Sequence, residues 1–405
     1  EYLRSSQRVD RVSVAGSLRR GRDTIGDIDI LVGDDDPGSV IAAFAAYPAV
    51  EAVLMKGPTK CSVRLDGGMQ VDLRAVETKS YGAALQYFTG SKEHNVALRR
   101  IGVEMGLKLN EYGLFERDSG RMVAGATEEE GYSALGLAYI PPEIRENSGE
   151  VEAAREGRMP ELVRLDQVKG DLHVHTDWSD GSDPVEKVLS EATRRGYEYV
   201  AITDHSQSLK IANGLTPERL RMQVAAVRKA EDLAGGIVAL AGSEVDILPD
   251  GSLDMPADVL NDLDIVIGSV HSRFKMDRAE MTKRVVAAIS SGRIDVLGHP
   301  TGRLIGQRGP YELDLPAVLG AAAEHGVCVE VNCFPDRLDL RDADCKAAGA
   351  RGVRVSLGTD SHRVEHMGFI RLGVITARRG WLGPGDVLNT LGASELAKHL
   401  RGRRR

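Results

Sequence analysis

Nine side chains that can bind metal ions occur at seven places in the C-terminal part of this 405-residue chain. They are the imidazoles and carboxylates of His173, His175, Asp180, His205, Glu244, His271, His299, Asp360 and His362. Six of the ten histidines of the chain belong to this set. Imidazole and carboxylate ligands without thiolates suit zinc, manganese or iron, and nine ligands are too many for one ion. The set therefore predicts a multi-metal hydrolytic centre.

A structural role is the alternative for each member of this set taken alone. A single histidine near the end of a strand is more often a hydrogen-bonded loop residue than a metal ligand. Two pairs, His173-x-His175 and Asp360-x-His362, have a spacing that puts both side chains on one face of a strand. Because eight of the nine residues fall at predicted strand ends and Asp180 lies a few residues into the first loop, a common metal cluster explains the pattern better than nine separate accidents.

A second group of carboxylates lies near the start of the chain. Asp27-x-Asp29 stands in an apolar run, and Asp72 stands in another predicted strand. Two like charges on one strand face are costly unless cations lie between them, and hard carboxylate oxygens suit Mg²⁺. Taken alone, an Asp-x-Asp pair can also mark a strand end or a turn. Gly16-Ser17, at a predicted strand-to-helix turn, offers backbone N–H groups and a hydroxyl to a phosphate and so favours the metal site.

The pattern of apolar residues predicts an α/β protein of several domains. Period-two runs predict a mostly antiparallel sheet with one helix, and a more helical segment with a small hairpin follows. Beyond a Glu-rich linker, seven strand-and-helix units predict a parallel α/β barrel. The barrel ligands follow strand ends, where such barrels carry their reactive groups. The predicted boundaries are 1–78, 79–140, 141–168 for the linker, 169–390 for the barrel, and 391–405 for a disordered basic tail.

Composition limits the function less than these motifs do. The formal net charge of −8 does not indicate a nucleic-acid binder, but bound divalent ions would offset acidic ligands, so the charge is uninformative. No run of about 18 apolar residues predicts a membrane span. The four cysteines show no metal or disulfide spacing, which favours a reduced, cytoplasmic setting. Because the chain begins with Glu in the middle of an element, we expect an N-terminally truncated protein.

The motifs of the C-terminal part resemble those of the polymerase and histidinol phosphatase (PHP) domain. HVHTDWSDG, TDHS, SVHS, GHP and GTDSH carry the resemblance over residues 169–390. It implies a seven-stranded barrel that holds up to three ions of Mn²⁺, Zn²⁺ or Fe²⁺ and hydrolyses phosphoesters. The nine residues above would be the ligands. Arg273 and Arg303 follow ligand motifs and are either phosphate contacts or surface arginines.

The N-terminal part resembles the palm and thumb of family X DNA polymerases, in the polymerase beta superfamily of nucleotidyltransferases. Gly-Ser followed by Gly-Asp-x-Asp, together with GPTKCS, VDLR and YFTGSKEHNVALR, carries this resemblance over most of residues 10–140. It implies a nucleotidyltransferase palm in 1–78 and a small α+β thumb in 79–140. The catalytic carboxylates Asp27, Asp29 and Asp72 would bind two Mg²⁺ ions.

The same resemblance implies roles for the residues that would hold the nucleotide and the DNA. Gly16, Ser17, Arg20, Gly90 and Ser91 would hold the triphosphate, Tyr87 and Phe88 the sugar, Asn95 the base, and Arg99 the template strand. Val96 departs from the family pattern, which has Lys after the Asn, so we expect a different template contact there.

Together the two resemblances imply a bacterial family X DNA polymerase that acts in DNA repair. We expect DNA-templated nucleotide addition upstream and Mn²⁺-dependent 3′→5′ exonuclease action downstream. The partners would be dNTPs and a primer–template, gapped in the repair setting, and the protein would be a monomer. The helix-hairpin-helix and lyase region of the family is absent from this sequence. Two alternatives stay open: a small-molecule phosphatase resembling histidinol-phosphate phosphatase with a vestigial N-terminal half, and a DNA-binding scaffold with structural metals.

Overall fold

The chain folds into two compact units, which we describe from a computed structural model. The structure describes residues 1–7, 9 and 11–403. The first unit is Glu1–Met159, and the second begins at Pro160. Within the described ranges, every helix is too short or too polar to cross a membrane.

The first unit combines a mixed sheet with a small three-stranded sheet and several helices. Its elements are α1 (Tyr2–Gln7), β1 (Arg11–Val14), α2 (Gly16–Arg19), β2 (Asp27–Gly33), α3 (Pro37–Ala45), β3 (Val50–Lys56), β4 (Lys60–Leu65), β5 (Gln70–Val76), α4 (Tyr81–Thr89), α5 (Lys92–Glu104), β6 (Leu107–Asn110), β7 (Gly113–Glu116), β8 (Met122–Ala124), α6 (Glu128–Ala134) and α7 (Glu150–Arg155). The larger sheet has the order β1-β2-β5-β4-β3, and β6-β7-β8 form the smaller one.

The larger sheet positions the N-terminal carboxylates. Its strands pair antiparallel except for β2 and β5, which run parallel as neighbours in the middle of the sheet. Val32 on β2 and Leu73 on β5 are fully buried, and α3 covers this face with Val40 and Phe44. The apolar halves of both strands are therefore fixed in the core, and their Asp residues lie at defined places along the sheet.

The segment that was predicted as an interdomain linker is folded over much of its length. Residues 142–144 form a 3₁₀ turn, α7 follows, and Arg145 and Glu150 are fully buried. The polar composition was misleading because these charges pair inside the first unit, where Glu150 binds His94 and Arg145 binds Glu128. The first unit therefore extends to Met159 rather than ending at 140.

The second unit is a seven-stranded parallel barrel surrounded by helices. Its elements are β9 (Gly170–Val174), α8 (Val185–Arg194), β10 (Tyr199–Ile202), α9 (Pro217–Ala234), β11 (Val238–Asp246), α10 (Ala257–Asn261), β12 (Ile265–Ser269), α11 (Arg278–Ser290), β13 (Val296–Leu297), α12 (Leu315–His325), β14 (Cys328–Asn332), α13 (Asp342–Gly349), β15 (Val355–Gly358), α14 (Ile370–Arg379) and α15 (Ala393–Arg403). The strands pair in sequence order from β9 to β15. A parallel bridge between Val174 and Ser361 joins the two ends, so the barrel is nearly closed as predicted.

The C-terminal segment that was predicted as a disordered tail is mostly helical. Helix α15 spans Ala393–Arg403, while residues 404 and 405 of the predicted tail lie outside the described residues. Leu396 is fully buried and Leu400 is 3% exposed, and both pack in a core cluster with Tyr199 and Leu172. The i, i+4 spacing of these leucines gives the helix one apolar face, and burial of that face orders the segment.

Candidate functional sites

Three carboxylates lie together at the middle of the larger sheet. Asp29 on β2 stands opposite Asp72 on β5 in the parallel register, and Asp27 is two residues earlier on the same face as Asp29. Burial raises the pKa of Asp29, and the charges of Asp27 and Asp72 raise it further. Gly16 faces this cluster with φ +59°, and a Cβ there would lie 2.0 Å from Oδ2 of Asp29. The strand register thus brings the three predicted ligands into one site.

A lysine shares this carboxylate site. Lys60 Nζ lies 2.7 Å from Oδ2 of Asp72, and Gln70 Nε2 donates to Oδ1 at 2.9 Å. Although burial raises the pKa of Asp72, these two hydrogen bonds lower it overall. The cluster therefore draws in positive charge, and its hard oxygen ligands fit divalent cations such as Mg²⁺.

The predicted triphosphate-binding residues come from α2 and from the turn between α4 and α5. Gly90 has φ +70°, and a Cβ there would lie 3.1 Å from Nη1 of Arg20. Arg20 Nε donates to Glu146 at 3.1 Å. Ser91 is the N-cap of α5 and accepts from the backbone N of His94 at 3.2 Å. The structure thus brings Arg20 next to Gly90, and Ser17 lies on α2 beside Gly16.

The predicted sugar, base and DNA contacts lie on α4 and α5. Tyr87 and Phe88 are half-buried and meet edge to face at 5.1 Å between ring centroids. Asn95 is buried; its Oδ1 accepts from Gln86 at 2.7 Å, and its Nδ2 donates to the Tyr87 carbonyl at 2.7 Å. Arg99 is exposed. Each end of the Asn95 amide binds one protein group, so a contact with a base would use the second N–H of Nδ2 or the second lone pair of Oδ1.

A buried ion-pair network, which was not predicted from the sequence, supports the turn between α4 and α5. Glu128 accepts from Arg19 Nη2 at 2.6 Å and from Arg145 Nη1 at 2.6 Å. Burial raises the pKa of Glu128, but the two arginines lower it to about 2. The carbonyl of Arg145 accepts from the backbone N of Ser91 at 3.0 Å. Arg19, which precedes the predicted triphosphate contact Arg20, therefore has a structural partner in Glu128.

All nine predicted barrel ligands gather at the C-terminal ends of the strands, around Glu244. Its Oε1 lies 2.8 Å from Nε2 of His299 and 3.3 Å from Nε2 of His271. Its Oε2 lies 2.9 Å from Nδ1 of His205 and 3.4 Å from Nε2 of His173. One buried carboxylate therefore faces imidazoles from four different strand ends.

The other ligands complete the cluster around two aspartates. Asp360 Oδ1 lies 3.1 Å from Nε2 of His175, and Asp180 Oδ2 lies 3.3 Å from Nε2 of His362. Three groups of donors have their ligand atoms within 4.8 Å of one another. These groups are His175, Asp180, His205 and His362; His173, His175 and Asp360; and His205, Glu244 and His271.

The electrostatics and the unpaired donors of this cluster fit bound cations. Burial opposes protonation of His173, yet Glu330, Glu244 and Asp360 raise its pKa well above the ordinary value. The buried Nδ1 atoms of His175 and His299 have no hydrogen-bond partner among the described residues. Concentrated negative charge and free imidazole nitrogens are the features that a metal ion satisfies.

The raised pKa values of the less buried histidines, His271 and His362, also show that the cluster favours positive charge. Burial opposes the charged form of His271, but Glu244 and Asp246 raise its pKa to about 10. Against the same effect of burial, Asp180 and Asp360 raise the pKa of His362 to about 9. Protons therefore supply the charge that the cluster needs when cations are absent.

Two buried carboxylates that contact the predicted ligands were not identified from the sequence. Glu330 on β14 lies 2.6 Å from Nδ1 of His173, and Asp246 on β11 lies 2.6 Å from Nδ1 of His271. A carboxylate on Nδ1 fixes the tautomer and leaves Nε2 free for a metal. The sequence contains a signal for each of these residues. Glu330 is a charged residue inside the apolar run VCVEVNC, and Asp246 follows Glu244 at the i, i+2 spacing of one strand face.

The mouth of the barrel carries arginines beside a pocket of about 320 Å³. Arg337 lines the pocket, and its Nε lies 3.4 Å from Oδ2 of Asp360. Arg303 Nη2 donates to the carbonyl of Leu338, which gives it a structural partner. Arg273 is exposed and has φ +58°. Of the two predicted phosphate contacts, Arg273 is the one whose side chain is open to solvent.

Comparisons with known proteins match both parts of the chain. The family model for the DNA polymerase beta thumb matches residues 84–146, and that for the PHP domain matches residues 171–332. The DNA polymerase/3′-5′ exonuclease PolX of Bacillus subtilis strain 168 is 39% identical over 403 residues, which cover 99% of this chain and 70% of that protein. A probable phosphatase of Thermoanaerobacter sp. strain X514 is 27% identical over 246 residues, or 58% of this chain and 95% of that protein. The probable phosphatase YcdX of Shigella dysenteriae serotype 1 is 30% identical over 208 residues, or 49% of this chain and 80% of that protein.

Proposed function

The chain belongs to the family of the DNA polymerase/3′-5′ exonuclease PolX, and from this premise we propose how its two sites divide the two activities. The protein is a DNA polymerase with 3′-5′ exonuclease activity, and its substrates are DNA and dNTPs. The carboxylate site of the larger sheet carries nucleotide addition, and the histidine-rich barrel carries hydrolysis. The observation that supports this division best is that each unit brings together its own candidate ligands, the aspartates of β2 and β5 in the first unit and the histidine-rich cluster in the second.

In the polymerase site, Asp27, Asp29 and Asp72 hold two Mg²⁺ ions. Lys60 pairs with Asp72 in this structure and would have to release that carboxylate for it to serve as a metal ligand. The close packing of Gly16 against Asp29 supports this role, since a side chain at position 16 would strike that carboxylate. Phosphoryl transfer depends mainly on in-line positioning and charge neutralisation, so this site needs no separate protein base.

The residues around these carboxylates hold the substrates. Ser17, Arg20, Gly90 and Ser91 bind the triphosphate, and Arg20 exchanges its bond with Glu146 for one with the phosphate. Tyr87 and Phe88 pack against the incoming sugar, Asn95 contacts the base and Arg99 contacts the template strand.

In the exonuclease site, the nine barrel residues hold up to three ions of Mn²⁺, Zn²⁺ or Fe²⁺. When bound, the divalent ions of both sites neutralise charge on the phosphorus centre, and those of the barrel also supply hydroxide at neutral pH. Glu330 and Asp246 keep His173 and His271 in the tautomer that presents Nε2 to the cluster. Arg273 and Arg337 bind the non-bridging oxygens of the phosphate that is cleaved.

The biological setting follows from this pairing of activities. We propose that the protein acts as a monomer in the cytoplasm on gapped DNA during repair. One site adds a nucleotide, and the other removes a nucleotide that has been misplaced.

A small-molecule phosphatase is the second candidate, because relatives described as probable phosphatases match the barrel. The register of Asp29 with Asp72 disfavours it, since a vestigial sheet has no reason to retain three convergent carboxylates. The same register, together with the complete barrel ligand set, disfavours a DNA-binding scaffold with structural metals.

A labelled primer–template incubated with Mn²⁺ tests the proposal. The primer should lengthen when dNTPs are supplied and shorten from its 3′ end when they are withheld, and EDTA should stop both reactions. Metal analysis of the same preparation should find more than one divalent ion per chain. Hydrolysis of histidinol phosphate without any action on DNA would favour the phosphatase, and inertness towards both substrates would favour the scaffold.

A further inference from the structure

One exposed apolar side chain stands at the rim of the barrel pocket. Ile211 is 95% exposed, more than any other large apolar side chain in the described part of the chain. It lies in the loop 206–214, which follows the ligand His205 and contains a short 3₁₀ turn, Lys210–Ala212. Because the side chain of Ile211 is exposed, it contributes almost no burial energy to folding. It is therefore available to contact a ligand.

The loop forms a ridge between two cavities. Leu209, Ile211 and Ala212 line the metal pocket, while Ser208 and Lys210 line an open cavity of about 570 Å³ on the other side. Lys210 is exposed, so a cation and an apolar group stand next to each other on the ridge. A ligand strand that leaves the metal pocket across this ridge would contact both Lys210 and Ile211.

The loop is held in place by hydrogen bonds to the barrel. Arg219 Nη2 donates to the carbonyl of Trp178 at 2.6 Å, and its Nη1 donates to the carbonyl of Asn213 at 2.9 Å. The backbone N of Ser208 donates to Asp254 Oδ2 at 2.8 Å. At Gly214 a Cβ would lie 1.9 Å from the carbonyl oxygen of Ser206, so the chain closes tightly there. Ile211 is therefore presented to solvent by a fixed backbone rather than by a loose one.

We propose that Ile211 inserts between the last two bases of a DNA 3′ end, and this inference rests on the proposed exonuclease function of the barrel. Cleavage of the terminal phosphodiester requires the last nucleotide to enter the metal pocket while the rest of the strand stays outside. Apolar side chains such as Ile separate stacked bases when they insert between them. An aliphatic wedge contacts the faces of the bases, so it acts on every sequence. Lys210 binds the phosphate of the next nucleotide, on the other side of the ridge.

The test compares variants of the full chain on three substrates with Mn²⁺. The substrates are a duplex with a paired 3′ end, a single strand of the same sequence, and the chromogenic diester bis(p-nitrophenyl) phosphate. Ile211→Ala should slow degradation of the paired end by about tenfold, because the variant lacks the apolar wedge that offsets the cost of unstacking one base step. It should slow degradation of the single strand much less and leave hydrolysis of the chromogenic diester unchanged. Ile211→Leu should restore most of the rate on the paired end.

Leu233→Ala is the matched control, because Leu233 is also exposed, at 72%, but lies near the end of α9. Equal rates of Ile211→Ala and wild type on the paired end would overturn the inference. An equal loss on all three substrates would also overturn it, because Ile211 would then act through the metal cluster itself. If the wild-type protein cleaves the chromogenic diester but shortens no DNA, the exonuclease proposal fails and this inference fails with it.

Discussion

Replacement of Glu330 by Gln should weaken the barrel metal site without any change in the polymerase site. Glu330 is 1% exposed and lies 2.6 Å from Nδ1 of His173. Its other oxygen accepts from the backbone N of His299 at 2.7 Å and from Asn332 Nδ2 at 3.4 Å. The carboxylate therefore accepts three N–H groups, two of which belong to ligand residues.

The size of the effect follows from these contacts. The amide of Gln has one acceptor oxygen, so its NH₂ group must face either the ring N–H of His173 or the backbone N–H of His299. A buried donor left without an acceptor costs about 1–3 kcal/mol. Loss of a carboxylate partner from a ligating histidine lowers metal affinity by about 10–100-fold, which agrees with that range. We therefore expect the exonuclease rate at limiting Mn²⁺ to fall by about 10–100-fold and to recover partly at high Mn²⁺.

The assay is a titration of 3′-end degradation against Mn²⁺, with primer extension as the internal control. Glu324→Gln is the matched substitution, since Glu324 is exposed on α12. It should leave the Mn²⁺ dependence unchanged. An unchanged Mn²⁺ midpoint for Glu330→Gln would refute the argument that this carboxylate orients His173 for metal binding.

Three further predictions address the other sites and the C-terminal helix. Gly16→Ala should abolish primer extension and spare degradation, because the new methyl group would meet Asp29. Loading the barrel with Mn²⁺ at pH 7.5 should release protons, measured by calorimetry in buffers of different ionisation enthalpy, because His362 and His271 have pKa values of about 9 and about 10 without metal. Both pKa values exceed the ordinary 6.5, so protonation of these two histidines stabilises the metal-free fold. This stabilisation is fully present below pH 6.5 and is lost as the pH rises through 9 and 10. Leu396→Ala should lower the free energy of unfolding of the barrel by about 2–5 kcal/mol in a denaturant titration.

Matched variants control two of these predictions. A Cβ at Gly26 would meet no atom within 4 Å, so Gly26→Ala should retain extension. Lys398 is exposed on α15, so Lys398→Ala should leave stability unchanged. Full extension by Gly16→Ala, or wild-type stability of Leu396→Ala, would contradict the contacts described for these residues. Mn²⁺ binding without proton release would contradict the proton-release prediction, because it would show that His271 and His362 are already neutral at pH 7.5 in the metal-free protein.

The barrel and the clustering of the nine predicted ligands could be anticipated because their signals are local. The i, i+2 pairs determine a shared strand face, and strand ends of a parallel barrel meet at one rim, so the nine ligands were placed together from sequence. The pairing of Asp29 with Asp72 was implied by the family resemblance, and the register of β2 with β5 places the two residues side by side.

The misjudged segments depend on contacts that are distant in sequence. The Glu-rich stretch after residue 140 looked solvated, yet Arg145 and Glu150 are buried because their partners, Glu128 and His94, come from other elements. Composition alone does not reveal such pairs. The C-terminal helix was missed because its charged end concealed the i, i+4 leucines that pack on the barrel.

The central claim, that one chain carries two independent metal-dependent sites for DNA, is tested most directly by reciprocal double variants in one primer–template assay. Asp27→Ala with Asp29→Ala should abolish extension and leave degradation at the wild-type rate. His173→Ala with His175→Ala should abolish degradation and leave extension intact. Loss of both activities in either variant, with the fold preserved by circular dichroism, would contradict the claim.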